Sequence, residues 1–150
     1  MTMRLTRGSD YAMRGMIYLA KQPRGKICLV SDVAEAQGVP ESYLAKIFQD
    51  LSRSGLVVSH RGAKGGFALA RDPSAITLRQ VIEAVEGPIA LSPCLDERVG
   101  CELSEICEVH LVLAEAQTRL LEVLDGAVLQ GVVGSWEKHS ARLEGQTGTE

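Results

Sequence analysis

The 150-residue chain is long enough for one compact domain, or for a small head with a helical arm, but too short for two independent domains. Its residues are 45% hydrophobic, 4% aromatic and 23% charged, a composition typical of a helix-rich globular protein. Charges interrupt residues 1–20, and no apolar run is long enough to cross a bilayer, so we expect a cytoplasmic protein without a secretory leader or a membrane span. The net charge of -3 is unevenly divided: residues 1–72 carry eleven Lys and Arg against six Asp and Glu, and residues 73–150 carry five against thirteen, so only the first half suits contact with phosphates.

The first half of the chain predicts a helix-turn-helix. An amphipathic helix is expected over residues 9–21, and a short helix with a side-chain cap follows at residues 31–36. Gly38 marks a tight turn, and Pro40 suits the first position of a third helix with one apolar and one polar face. Two short helices joined by a glycine turn are typical of this DNA-binding motif, in which the second helix reads the DNA.

The polar face of the third predicted helix carries the residues expected to contact DNA. Those nearest its start are best placed to reach base edges or nearby phosphates, and two more follow along the same face. A solvated surface would look similar, but the charge division along the chain favours DNA contact. The predicted contact residues on this helix are Ser42, Tyr43, Lys46, Gln49 and Arg53.

A β-hairpin is predicted directly after this helix. The apolar runs at residues 56–58 and 67–69 flank a segment, residues 60–66, that is rich in glycine. The hairpin would act as a wing, with Arg61 and Lys64 at its tip holding the DNA backbone or the minor groove. The expected fold is therefore mainly α, a winged helix-turn-helix over residues 1–72.

The second half predicts helices around a loop. Residues 78–86 form a helix capped by Thr77, and residues 103–125 form a long helix with an apolar stripe. Since so long an apolar stripe needs a partner in a chain this short, it is expected to be a dimerisation helix. A helical stretch at residues 128–136 is expected to pack back on the head. The cysteine loop and dimerisation helices would span residues 73–140, and residues 141–150 a disordered tail.

Three cysteines in the loop predict a metal centre. Cys94, Cys101 and Cys107 fall within fourteen residues, and His110 follows one helical turn after the last. Thiolates are soft ligands, and several of them close together in a reducing cytosol more often hold zinc or an iron-sulfur cluster than form disulfides. Cys28 lies in an apolar run instead and is expected to be an inert core residue.

Four segments of the sequence resemble the bacterial regulator family that includes IscR, NsrR and RirA, within the Rrf-two superfamily. The segments are MRLT at residues 3–6, VPESYL at 39–44, RGAKGGF at 61–67 and VIEAVEG at 81–87. The resemblance covers nearly the whole chain. It implies a homodimeric winged-helix repressor that binds a near-palindromic double-stranded DNA operator and carries an iron-sulfur cluster, 2Fe-2S or 4Fe-4S, that senses iron-sulfur status, nitric oxide or redox state.

The resemblance also implies a set of cluster ligands. The family's three cysteines match Cys94, Cys101 and Cys107. IscR-like members use a histidine that falls on His110, whereas NsrR-like members can use an aspartate of the partner subunit that falls on Asp10, so the fourth ligand stays open. Six residues separate the first two cysteines where the IscR pattern has five, which leaves the cluster type open as well.

Two other classes of function are considered beside this one. A zinc-stabilised or metal-free winged-helix regulator would have the same head and would bind DNA without regard to iron or oxidants. A thiol enzyme or electron carrier would need a C-x-x-C motif, an activated nucleophile or a glycine-rich cofactor loop, and the sequence shows none of them. The chain is therefore expected not to be an enzyme.

Overall fold

Six α-helices and one β-hairpin make up the part of the chain that the computed structural model describes, residues 4–103 and 105–146. No helix in this part is long and apolar enough to cross a bilayer. The mainly helical winged-helix architecture predicted from the sequence is confirmed. The elements are α1 (Arg7–Lys21), α2 (Val30–Gln37), α3 (Glu41–Arg53), β1 (Val57–His60), β2 (Gly66–Leu69), α4 (Leu78–Glu86), α5 (Glu108–Gly126) and α6 (Leu129–Gln146), with single 3-10 turns at Pro73–Ala75 and Pro93–Leu95.

The core of the head lies between α1, α3 and the hairpin. Phe48 of α3 is fully buried and stacks on Phe67 of β2, with ring centroids 5.0 Å apart. Gly15 lets α1 approach this pair closely, because a Cβ there would lie 3.1 Å from the Phe48 ring. Close contact between the helices and the hairpin fixes the position of α3 relative to the wing.

The hairpin is extended by a short bridge that the sequence did not predict. Strands β1 and β2 pair antiparallel, with Val57 opposite Leu69. On the other edge of β2, Cys28 donates to the Phe67 carbonyl at 2.8 Å and accepts from the Phe67 amide at 2.9 Å. The predicted core position of Cys28 is confirmed, since its side chain is 5% exposed and burial raises the pKa of its thiol.

The first turn of α6 is built into the head, as the sequence predicts for this helical stretch. Leu129 is fully buried in the core, and its amide donates to the Ile76 carbonyl at 2.9 Å. In the opposite direction the Leu78 amide donates to the Ala127 carbonyl at 2.9 Å. The corner between α5 and α6 is therefore held against the start of α4 by two backbone hydrogen bonds.

Several element boundaries differ from the sequence-based expectations. The first helix begins at Arg7 because Thr6 caps it, and α2 begins at Val30 without a side-chain cap. The start of α5 is at Glu108 rather than residue 103, since the extended backbone of Cys107 interrupts the helical pattern. The disordered tail predicted from residue 141 is wrong over residues 141–146, where α6 continues and its first four residues, 141–144, are good helix formers. Residues 147–150 lie outside the described residues.

Helix α5 packs on the rest of the chain along one side, and part of its remaining surface is exposed. Leu113, Leu120 and Leu124 are partly buried, and the helix is tied to α4 by an ion pair of 2.9 Å between Arg79 and Asp125. None of its described residues is fully buried. At 100° per residue, a second set of apolar side chains falls within a 60° arc of the helix surface. This exposed stripe consists of Val109, Val112, Ala116 and Val123.

Candidate metal centre and nucleic-acid interface

Cys94 and His110 are brought together by the loop and the start of α5. Cys94 lies in the 3-10 turn Pro93–Leu95, and its Sγ is 3.5 Å from Nδ1 of His110 in the first turn of α5. The Cys94 thiol also donates to the Ser92 hydroxyl at 3.3 Å. The loop is held to the helix near this point, because the Leu91 amide donates to the Gln117 side chain at 2.9 Å. Both members of the Cys94–His110 pair are partly buried.

The other two loop cysteines lie outside this pair. Cys107 is the N-cap of α5, and its carbonyl accepts from the His110 amide at 3.1 Å, so the two residues share one helical turn. Cys101 is exposed and follows Gly100 in the loop. Within residues 4–103 and 105–146, no three His, Cys, Asp or Glu side chains converge closely enough to hold a metal ion. The structure therefore brings together two of the predicted ligands, Cys94 and His110.

The chemistry of these side chains fits a soft metal or a cluster. All four cysteines are free, and three thiols with one imidazole suit zinc or an iron-sulfur cluster. The contact between Cys94 and His110 shows that the loop and α5 can present sulfur and nitrogen donors to one point. Binding by all three loop thiols would require the loop to bring both Cys101 and Cys107 to this pair.

Asp10 belongs to a different part of the molecule. It lies in the first turn of α1 and forms an ion pair with Arg14 at 3.1 Å, with each side chain 49% exposed. Among the described residues of a single chain it does not join the cysteines in a group of donors. Asp10 could therefore serve as a ligand only through a second copy of the chain, as the family resemblance implies.

An ion pair inside the cysteine loop was missed by the sequence analysis. Arg98 donates to both carboxylate oxygens of Asp96, at 2.9 and 2.7 Å, and these hydrogen bonds lower the pKa of Asp96 to about 2. The pair braces the chain between Cys94 and Cys101. A carboxylate two residues before an arginine is too common a pattern to have identified it.

The predicted contact residues of α3 form a polar surface. Ser42, Lys46 and Gln49 are exposed, and so is Arg53, which forms an ion pair with Asp50 at 2.9 Å. Within residues 4–103 and 105–146, Lys46 has no such ion-pair partner. Its charge is therefore free to meet a phosphate, whereas that of Arg53 is partly compensated.

Tyr43 lies at the boundary between this surface and the core. It is 41% exposed, and its ring packs edge-on against Tyr11 of α1, with centroids 5.5 Å apart and an angle of 80°. Tyr43 therefore both faces solvent at the start of α3 and fixes the position of that helix against α1.

The wing tip projects two exposed cations. Arg61 and Lys64 lie in the turn between β1 and β2, and both are exposed. The turn requires glycine at residue 65, because a Cβ there would lie 2.4 Å from the His60 carbonyl oxygen. The backbone itself is therefore tightly turned at this point.

Comparison with known proteins identifies a matching family. Residues 5–135 match the family model of Rrf2, which is described as "Iron-dependent Transcriptional regulator". A curated relative, Protein aau3 of Rhizobium meliloti (strain 1021), is 36% identical over 132 residues, which are 87% of this chain and 85% of that protein.

Two solved structures with the same fold carry the names of different regulators. T. potens IscR is similar with a TM-score of 0.74 and 26% identity, covering 91% of this chain and 90% of that chain. CymR (YrzC), described as the global cysteine regulator of B. subtilis, is similar with a TM-score of 0.69 and 28% identity, covering 89% and 98%.

Proposed function

The chain belongs to the Rrf2 family of DNA-binding transcriptional regulators, which are not enzymes, and we propose that it is a homodimeric repressor controlled by an iron-sulfur cluster. The observation that carries the proposal is the 3.5 Å contact between Cys94 Sγ and His110 Nδ1, at the base of a loop with two further free thiols. A promoter-binding protein of this kind acts in the cytoplasm.

In this proposal Cys94, Cys101 and Cys107 hold the cluster, and His110 or the partner's Asp10 completes its coordination. The cluster would supply a reversible link between the loop and α5 that oxidants, nitric oxide or iron shortage remove. A 2Fe-2S form with His110 is favoured by the Cys94 contact, and a 4Fe-4S form stays possible with Asp10. Loss of these bonds changes the relative stability of two loop conformations. This shift in turn changes the affinity of the DNA-binding head for its operator.

A second copy is proposed to cover the exposed stripe of α5. Val109, Val112 and Val123 are 62%, 68% and 69% exposed, which is unusual for large apolar side chains on one helix face. Pairing of two such helices would bury the stripes against each other. The two heads would then read a near-palindromic operator with half-sites separated by about 10 base pairs or a multiple.

The cluster is tested on protein purified without oxygen. The full chain is expected to be coloured and to contain iron and acid-labile sulfide, and Cys101→Ala to be colourless while circular dichroism shows it folded. Cys28→Ala is the matched control, since it removes a thiol from the core and not from the loop. Spectra of His110→Ala and Asp10→Ala identify the fourth ligand. A full chain without colour and without sulfide would refute the proposal.

A zinc-stabilised or metal-free regulator is the second candidate. The observation that favours it is that CymR, a cysteine regulator by name, has the same fold. The metal-free form also agrees with the lack of three converging donors in residues 4–103 and 105–146. Elemental analysis separates the two candidates, because zinc or no metal would replace iron. Operator binding that is unchanged by iron chelation and nitric oxide would also support this second candidate.

A further inference from the structure

We infer that Glu86 is a positioning residue that couples the cysteine segment to the recognition helix α3 through the N-terminus of α1. The inference rests on the proposed function, because it concerns how the state of the cysteine segment reaches the DNA-binding surface. It depends on contacts between residues about eighty positions apart in the chain.

One carboxylate oxygen of Glu86 gathers three donors from the start of α1. Its Oε1 accepts from the Thr6 amide at 3.2 Å, from the Thr6 hydroxyl and from the Ser9 hydroxyl. Ser9 is a polar residue with 0% exposure, so without Glu86 its hydroxyl would be buried without this acceptor. Because Thr6 also caps α1, Glu86 holds both the cap and the first turn of that helix.

The first turn of α1 in turn touches the recognition helix. A Cβ placed on Gly8 would lie 3.3 Å from the Tyr43 hydroxyl and 3.3 Å from Val85 Cγ1. Gly8 is therefore enclosed between the start of α3 and the end of α4. Tyr43 also packs on Tyr11 of α1, with ring centroids 5.5 Å apart, so a displacement of α1 toward α3 is expected to shift Tyr43.

The other side of Glu86 leads directly to the cysteines. Glu86 ends α4, and Gly87, with φ of 83°, begins the segment that reaches Cys94. The Ile89 amide donates to the Glu83 carboxylate at 3.1 Å, so the first residues of this segment remain attached to α4. A rearrangement around Cys94 is therefore expected to displace the end of α4, where Glu86 accepts hydrogen bonds from the start of α1.

The coupling is measured as a ratio of operator dissociation constants, cluster-loaded against cluster-free, for the full chain. Glu86→Gln keeps the shape of the side chain and removes its charge, and Ser9→Ala removes one donor. Both are expected to bring the ratio at least about threefold closer to one, since allosteric coupling commonly amounts to about 5- to 150-fold. Glu122→Gln, an exposed acid on α5, is the control and should keep the full ratio.

A second measurement needs no cluster. Hydrogen exchange of the cluster-free protein is expected to quicken at the amides of Asp10 and Leu44, the first turns of α1 and α3, in Glu86→Gln but not in Glu122→Gln. Thr6→Ser, which keeps the hydroxyl and the cap, should behave as the unchanged chain. A purely structural role for Glu86 would lower the stability and leave the ratio of dissociation constants unchanged.

The outcomes separate this inference from the proposed function. If the unchanged chain shows a cluster-dependent ratio and neither Glu86→Gln nor Ser9→Ala reduces it, the inference is overturned and the proposed function stands. If the ratio of dissociation constants of the unchanged chain equals one, the proposed function fails. Exchange at Leu44 then decides alone whether Glu86 connects α1 to α3: faster exchange in Glu86→Gln supports that connection, and unchanged exchange overturns it. Should Glu86→Gln not fold, Ser9→Ala decides by the same criteria.

Discussion

Removing the cation at the wing tip should change the salt dependence of operator binding by a calculable amount. Arg61 is exposed in the turn between the strands and lies in the half of the chain with the positive net charge. Each phosphate contact contributes a slope of about -0.9 to the dependence of log K on log salt concentration. Arg61→Ala should therefore flatten the slope by about 0.9 for each subunit bound, or about 1.8 for a dimer.

The effect is large enough to measure over an ordinary salt titration. Raising salt from about 50 to about 200 mM weakens one phosphate contact roughly 3.5-fold, and two contacts roughly 12-fold, so the variant should lose that much less affinity. Fluorescence anisotropy with a labelled operator gives the slope. Lys138→Ala on α6 removes an exposed cation far along the sequence from the wing and should leave it unchanged. An unchanged slope in Arg61→Ala would show that the wing does not touch the backbone.

Three further perturbations test the packing, the ionic contact and the exposed helix face. Leu129→Ala should lower the free energy of unfolding, measured by urea denaturation, by about 2–5 kcal/mol, because the Leu129 side chain is fully buried. Leu143 is 49% exposed, so Leu143→Ala should lower the free energy of unfolding far less. Burial raises the pKa of Glu86, but hydrogen bonds from Ser9 and Thr6 lower it to a net value below its usual 4.5. Its contribution to stability should therefore be present above about pH 4.5 and be lost as the pH falls below that value, and Glu86→Gln should lack this acid-dependent loss; an identical acid profile would contradict the assignment. Val112→Glu should shift the protein toward monomer in analytical ultracentrifugation, whereas Thr118→Glu, on the opposite side of α5, should not; equal behaviour of the two would place the dimer contact elsewhere.

Local signals in the sequence were enough to predict most of the secondary structure. Thr77 caps α4 as predicted, with the Gln80 side chain completing a capping box, and Gly87 ends the helix. The hairpin followed from its apolar runs and glycines. Such features depend on residues a few positions apart, so the pattern alone predicts them.

Contacts between distant residues were not predictable in this way. The bridge between Cys28 and Phe67 extends the sheet through a segment with no strand pattern of its own. The contact of Glu86 with Ser9 joins residues 77 positions apart, and a glutamate at a helix end looks like an ordinary surface residue. Packing of the whole chain decides both, and a single sequence gives no signal for either.

The candidate site was predicted in part for the same reason. The spacing of Cys107 and His110 placed them on one helical turn, and this is what the structure shows. The contact of His110 with Cys94 depends on the path of a loop without periodicity, so the sequence grouped the two residues as candidate ligands without predicting their contact. The position of Cys101 in a ligand set stays a prediction.

The corner between α5 and α6 determines how the cysteine end can move. Because backbone hydrogen bonds fasten this corner to Ile76 and Leu78, the far end of the 19-residue helix is a lever arm of about 27 Å. A tilt of only about 5° about the corner would carry Glu108 through roughly 2 Å while barely displacing Gly126. A small change in helix angle at the fixed corner is thus magnified at the end where the sulfur donors lie. Conversely, a displacement of the cysteine end produces a much smaller displacement at the corner that is fastened to the head.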